Sequence, residues 1–113
     1  MKARALALGV WLAFAPAFGA AGLSDEDDRL AETLMRSAKS PEDHRALAAY
    51  FGATGKAARQ DANVHRQMEL SYSHIGLPGQ RMVEHCQRLI ALDNQIAREY
   101  EALARNEAAE AEK

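Results

Sequence analysis

Five side chains with sulfur or imidazole donors are spaced so that they share helix faces. Met82 lies three residues before His85 and four before Cys86, and His65 lies three before Met68. Residues three or four apart lie on the same side of an α-helix. Thiolate, thioether and imidazole donors together suit a soft metal, above all copper(I). The sequence therefore predicts one hypothetical metal site, and copper is the metal that it would bind.

A packing role explains the same residues equally simply, and we rank the metal site below it. Methionine between helices is a common gap-filler, and a free cysteine behaves as a small buried hydrophobe. No paired-cysteine motif and no run of closely spaced methionines accompanies the five residues. The leading interpretation is structural, and soft-metal binding is the alternative.

Cys86 is the only cysteine in the chain, so an internal disulfide is excluded. An intermolecular disulfide across a dimer and a shielded thiol both remain open. A catalytic thiol paired with His85 is disfavoured, because neighbours on a helix point about 100° apart and no orienting third group is evident. No haem-attachment, phosphate-loop, nucleophile-elbow or zinc-enzyme motif is present. We expect no enzymatic activity.

The first 21 residues read as a secretory signal peptide. Lys2 and Arg4 precede an apolar run over residues 5–15, then Pro16 and several small residues follow. Processing is expected between residues 19 and 22, leaving 22–113 as one small domain. The apolar run is shorter than the roughly 20 residues that a membrane span needs, so no stable membrane anchor is expected after cleavage. The sequence predicts a periplasmic or secreted protein.

Charge excludes one class of partner. The whole chain carries a net charge of −2, and it becomes more negative when Lys2 and Arg4 leave with the signal peptide. A nucleic-acid-binding domain usually carries a basic stripe, which this acidic chain lacks. Nucleic acid is therefore not an expected partner.

Three helices are predicted, over about residues 25–39, 41–73 and 80–109. Ser24 caps the first, and acidic residues fill its first turn, where the helix dipole favours them. Ser40 followed by Pro41 is the strongest start signal in the chain. Residues 75–79 contain two glycines and a proline, which make the only convincing break after residue 41.

A heptad repeat in the third helix predicts a partner along its whole length. Large apolar residues recur every seven positions, and three further residues follow them by four. The set is Met82, Leu89, Ile96 and Leu103, with Cys86, Asp93 and Tyr100. Folding back at the break would bring Leu103 to Tyr50, Ile96 to Ala57 and Leu89 to Val64. A buried charge at Leu89 or Ile96 is then expected to unfold the chain.

Two further patterns on the second helix have open interpretations. His44, Phe51, Ala58, His65 and Tyr72 step by seven, and form either a mixed flank or a face toward the first helix or a second copy.

Asp61 is predicted to lie level with Asp93. Two facing acids could serve as a general acid–base pair or as ligands of a hard metal. We favour pairing with Arg59, Arg66 or Arg88, or a role in fixing the register of the helices, as buried polar residues have in coiled coils.

The predicted fold is all-α: a long antiparallel helical hairpin preceded by a short helix, which could dimerise into a four-helix bundle. Residues 41–50 and 82–89, with His65 and Met68, resemble a group of small exported bacterial helical-hairpin proteins. The resemblance spans about residues 41–107 and implies export and a hairpin, but it supplies no activity. The expected function is helix–helix contact with a second copy or a helical partner.

Overall fold

The computed structural model describes residues 23–113, so the predicted signal peptide lies outside it. The order of elements is α1 (Asp25–Ser37), α2 (Pro41–Ser73), a 3-10 turn (Leu77–Gly79) and α3 (Gln80–Ala111). Helices α2 and α3 pack along each other as an antiparallel hairpin, 72 × 23 × 22 Å together with α1. The predicted all-α hairpin with a short preceding helix is confirmed, and the described part contains no strand.

Serine caps fix where α1 and α2 begin. The Ser24 hydroxyl accepts a hydrogen bond from the Asp27 amide, and the Asp27 carboxylate accepts one from the Ser24 amide. Ser40 and Asp43 repeat this reciprocal pair at the start of α2. Backbone amides of Lys39 and Ser40 hold the pKa of Asp43 below its ordinary value, because they stabilise the carboxylate. Both caps satisfy amides that the first helical turn leaves without partners.

Two glycines make the reversal between the long helices. Gly76 has a φ of +80°, a conformation that side chains disfavour. A β-carbon on Gly79 would collide with the carbonyl group of Tyr72, so the start of α3 can lie against the end of α2 only with glycine there. The break predicted at residues 75–79 therefore has a steric cause.

Small residues bring α2 and α3 close together. A β-carbon on Gly55 would lie 3.4 Å from the carbonyl oxygen of Ala97. Ala58, Ala62 and Ala97 are buried, and Ala97 has no exposed surface. Along both helices the residues that face the other helix recur in steps of three and four, as helix pairs require. On α2 these residues are His44, Leu47, Phe51, Gly55, Ala58, Ala62 and His65. On α3 they are Val83, Cys86, Ile90, Asp93, Ala97, Tyr100, Ala104 and Glu107.

The heptad predicted for α3 was wrong by one residue. Met82, Leu89, Ile96 and Leu103 were expected to face α2, but they are 39–46% exposed. The interface uses the next residue in each repeat, Val83, Ile90, Ala97 and Ala104. Close helix approach at Gly55 leaves room for alanine and displaces the larger side chains to the edge. Cys86, Asp93 and Tyr100 do face α2, as expected.

The stripe of α2 residues that recur every seven positions is part of the same interface. Phe51 and Ala58 are buried, and the Phe51 ring lies 6.1 Å from that of Tyr100. The interpretation as a mixed flank was therefore wrong, whereas the predicted face toward the first helix is confirmed at Phe51, which is buried in a cluster with Ala31. The predicted alignment of α2 with α3 along the hairpin was close. Phe51 lies beside Tyr100 and Gly55 beside Ala97, which differs from the predicted alignment by less than one helical turn.

Helix α1 covers one end of the hairpin. Ala31 is buried in a cluster with Leu47 and Phe51, and Leu34 packs against that cluster. The Tyr50 hydroxyl donates a hydrogen bond to the Asp28 carboxylate at 2.7 Å. This bond raises the pKa of Tyr50 to about 12, with partial burial adding to the effect. Contact with α1 is thus both apolar and polar, and it is confined to the end far from the turn.

Candidate functional site

The five predicted metal-site residues lie at different depths. Cys86 is 1% exposed and faces α2, whereas Met68, Met82 and His85 are exposed. His65 is half-buried, and its Nδ1 lies 2.7 Å from the Asp93 carboxylate. The structure therefore separates a buried thiol from exposed thioethers on the outside of the helices.

The level of each residue along the hairpin divides the five further. The amide of Gln87 donates to Glu69 at 3.0 Å, so Met68 and Cys86 lie at about the same level. Asp93 follows Cys86 by seven residues, or about 10 Å along the helix. The hydrogen bond to Asp93 therefore orients the His65 side chain away from the level of Cys86.

His85 is also engaged, because its Nδ1 accepts a hydrogen bond from the Arg88 guanidinium at 2.9 Å. Within residues 23–113, no three His, Cys, Asp or Glu side chains are grouped to hold a metal ion. The thioethers of Met68 and Met82 are a different kind of donor, so a site built on them stays a prediction.

Two histidine–carboxylate pairs cross the α2–α3 interface, and the sequence analysis missed both. His44 Nδ1 lies 2.6 Å from Glu107, and His65 makes the equivalent contact with Asp93. Asp93 and Asp61 were expected to lie level and to pair with an arginine or fix the register, but Asp93 contacts His65 and Asp61 is exposed. The signal that could have found the pairs is the heptad spacing, since His44 and His65 share one register and Asp93 and Glu107 another.

One long side of the hairpin is polar. Arg59 donates to both carboxylate oxygens of Glu101, at 2.9 and 3.1 Å, and to the Asn94 side chain at 3.1 Å. The guanidinium lowers the pKa of Glu101 and the carboxylate raises that of Arg59. Arg59, Asn94 and Glu101 each follow an interface residue by one position. Positions just after the interface therefore lie together on one side of both helices.

The opposite side is apolar and exposed. Residues just before an interface residue must lie there, because the residues just after it occupy the polar side. Six of them, together with Met68 one turn after Val64, are large hydrophobics with 38–56% of their surface exposed. We call this set the apolar flank: Val64, Met68, Met82, Leu89, Leu92, Ile96 and Leu103.

A shallow groove of about 440 Å³ lies on the apolar flank of α3. Leu92, Gln95, Ile96, Glu99 and Tyr100 line it. Helix α1 binds the same side of the hairpin, since Tyr50, which precedes Phe51, bonds to its Asp28. The rest of the apolar flank, toward the turn, is not covered by α1.

Among the described helices, none is both long and apolar enough to cross a membrane. Comparisons with protein-family models, curated proteins and solved structures found no match to this chain. Two features of the described residues bear on function, the apolar flank and the residues around Cys86.

Proposed function

We propose that the chain is an exported, non-enzymatic protein that binds another helical surface through the apolar flank. The observation that carries this proposal is the unequal division of the hairpin into a polar and an apolar side. Export is supported by the order of basic, apolar and small residues in the first 21 positions.

The division is too regular to be scattered surface hydrophobicity. On α3, large hydrophobics stand at Met82, Leu89, Leu92, Ile96 and Leu103, each just before an interface residue. Single exposed hydrophobics are ordinary, but a contiguous exposed row usually marks an interaction site.

A helix suits the row as a partner, because its residues alternate in steps of three and four. An apolar stripe on another helix has the same spacing, so its side chains can pack between those of the row. Helix α1 already packs on this side through Ala31 and Leu34, which supports helical occupancy of the remainder.

Photocrosslinking in the cells that make the protein tests the proposal. A benzophenone amino acid at Leu92 should give covalent adducts, because Leu92 lies on the apolar flank. The matched control is Ala91, an exposed neighbour that points about 100° away from Leu92, toward the polar side. Adducts at Leu92 but not at Ala91 support the proposal, and absence of adducts at Leu92 would refute it.

Soft-metal binding is the second candidate, and one observation favours it. Met68, Met82 and Cys86 lie within about one helical turn of each other's level near the turn of the hairpin. Copper(I) binds thioether and thiolate donors well. His85 and His65 would have to leave Arg88 and Asp93 if they were to bind through Nδ1.

Titration of reduced protein with copper(I) against a competing chelator tests this candidate. Met68→Leu and Met82→Leu should each weaken binding, with Met35→Leu, an exposed methionine of α1, as the control. Binding that none of these substitutions changes, or no binding at all, would eliminate the site.

A further inference from the structure

Building on the proposed function, we infer that the partner of the apolar flank is a second copy of this chain. In this dimer α3 packs antiparallel to α3 of the copy, about a two-fold axis close to Leu92. Two hairpins then form a four-helix arrangement in which α3 and its copy are the central pair.

The hydrophobic residues of α3 match themselves in this orientation. In an antiparallel pair related by a two-fold axis, residues at equal distances on either side of the axis face each other. Leu89 and Ile96 lie three and four residues from Leu92, and Met82 and Leu103 lie ten and eleven from it, so the distances within each pair agree to one residue, or about 1.5 Å. Leu89 therefore faces the copy's Ile96, and Met82 faces the copy's Leu103. At the axis, Leu92 faces the copy's Leu92.

The polar residues in the row match as well. Between positions 82 and 103, the residues just before an interface residue are all hydrophobic except His85 and Glu99. Each lies seven residues from Leu92, so His85 faces the copy's Glu99. Because Arg88 can only donate, the His85 Nδ1 is an acceptor and a neutral ring carries its proton on Nε2. That N–H is the donor that the Glu99 carboxylate needs.

The size of the surface lies at the lower end of the range for specific dimer interfaces. From Met82 to Leu103 the row spans about 32 Å at 1.5 Å per residue, on a hairpin about two helices, or roughly 20 Å, wide. The product, which counts the full width of both helices, is on the order of 600 Å² per chain, close to the smallest area per partner, about 600 Å², in specific interfaces. The groove lined by Leu92, Ile96 and Glu99 lies opposite the copy's Leu89 and Leu92, so leucine side chains are available to fill it.

Disulfide trapping tests both the partner and the register. Leu92→Cys should give a disulfide-linked dimer under mild oxidation, because the two-fold axis brings the two thiols together. Ala91→Cys is the control, because Ala91 points about 100° away from Leu92, toward the polar side. The parent chain is a second control, since its Cys86 is 1% exposed. Mixing Met82→Cys with Leu103→Cys should favour the mixed disulfide over either homodimer.

The substituted positions are exposed, so the variants should keep the circular dichroism of the parent. Sedimentation of the reduced variants provides a second measurement that does not depend on thiol geometry. A monomer in sedimentation, or equal trapping at Leu92 and Ala91, would overturn the inference. The proposed function is judged separately: a photoadduct at Leu92 with a protein other than this chain would uphold it while the second copy fails.

Discussion

Gly52 and Gly55 lie one turn apart on α2 and have different surroundings. A β-carbon at position 55 would touch Ala97, Tyr100 and Glu101 within 3.5 Å, whereas one at position 52 would meet nothing within 4 Å. Glycine in a helix costs about 0.5–1 kcal/mol relative to alanine. At Gly55 the close approach of α3 offsets this cost, and at Gly52 nothing does.

The two glycines should therefore respond oppositely to substitution. Gly52→Ala is expected to raise the free energy of unfolding by about 0.5–1 kcal/mol. Gly55→Leu should lower it by roughly 1–3 kcal/mol, because the larger side chain forces the helices apart. Urea unfolding measures both values. A stabilised Gly55→Leu variant would show that the helices do not approach closely at this position.

The hydrogen bond from Tyr50 to Asp28 makes the attachment of α1 sensitive to high pH. The pKa of Tyr50 is raised from 10.0 to about 12 in the folded chain, so its contribution is complete below pH 10. The contribution disappears as the pH rises through about 12, because tyrosinate cannot donate to a carboxylate. We expect the stability difference between the parent and Tyr50→Phe to shrink between pH 10 and pH 12.

Urea unfolding of both proteins across that pH range provides the check. The other tyrosines, Tyr72 and Tyr100, are present in both proteins and cancel in the comparison. A stability difference that is constant from pH 8 to pH 12 would contradict the role assigned to this bond.

At the scale of the helices, the one-residue shift in α3 decides which positions are buried. A charge at Ile96 would unfold a hairpin built on the predicted heptad, but Ile96 is exposed and Ala97 is fully buried. Ala97→Asp should cost roughly 3–5 kcal/mol, because it leaves an uncompensated charge between the helices. Ile96→Asp should cost less than about 1 kcal/mol in the monomer.

Urea unfolding at low protein concentration measures this contrast without interference from association. The two substitutions are chemically similar and adjacent, so they differ mainly in the direction of the side chain. Equal losses of stability, or a larger loss for Ile96→Asp, would contradict the observed interface and favour the heptad predicted from the sequence.

Sequence reasoning found the helices because their ends carry strong local signals. The Ser24 and Ser40 caps and the glycines at 76 and 79 act within a few residues, so the chain alone reveals them. The interface was harder to predict, because the residues that fill it are small. Alanine and glycine give little hydrophobic signal, so the larger Leu89 and Ile96 dominated the heptad pattern.

The candidate site was predictable only in part for a related reason. Cys86 was placed on the correct face, because it belongs to both the predicted and the observed pattern. The bonds of His65 to Asp93 and of His44 to Glu107 depend on the exact rotation of both helices. A rotation error of one residue is enough to hide them.

For the whole molecule, the central claim is that the apolar flank is where the chain associates. Sedimentation velocity over a range of concentrations, on the parent, Leu92→Glu and Ala91→Glu, tests it most directly. Both substitutions add the same charge to exposed neighbours whose side chains point about 100° apart, Leu92 on the apolar flank and Ala91 toward the polar side. We expect dimers for the parent and Ala91→Glu, and a helical monomer for Leu92→Glu. A monomeric parent, or a Leu92→Glu variant that associates as strongly as the parent, would contradict this account.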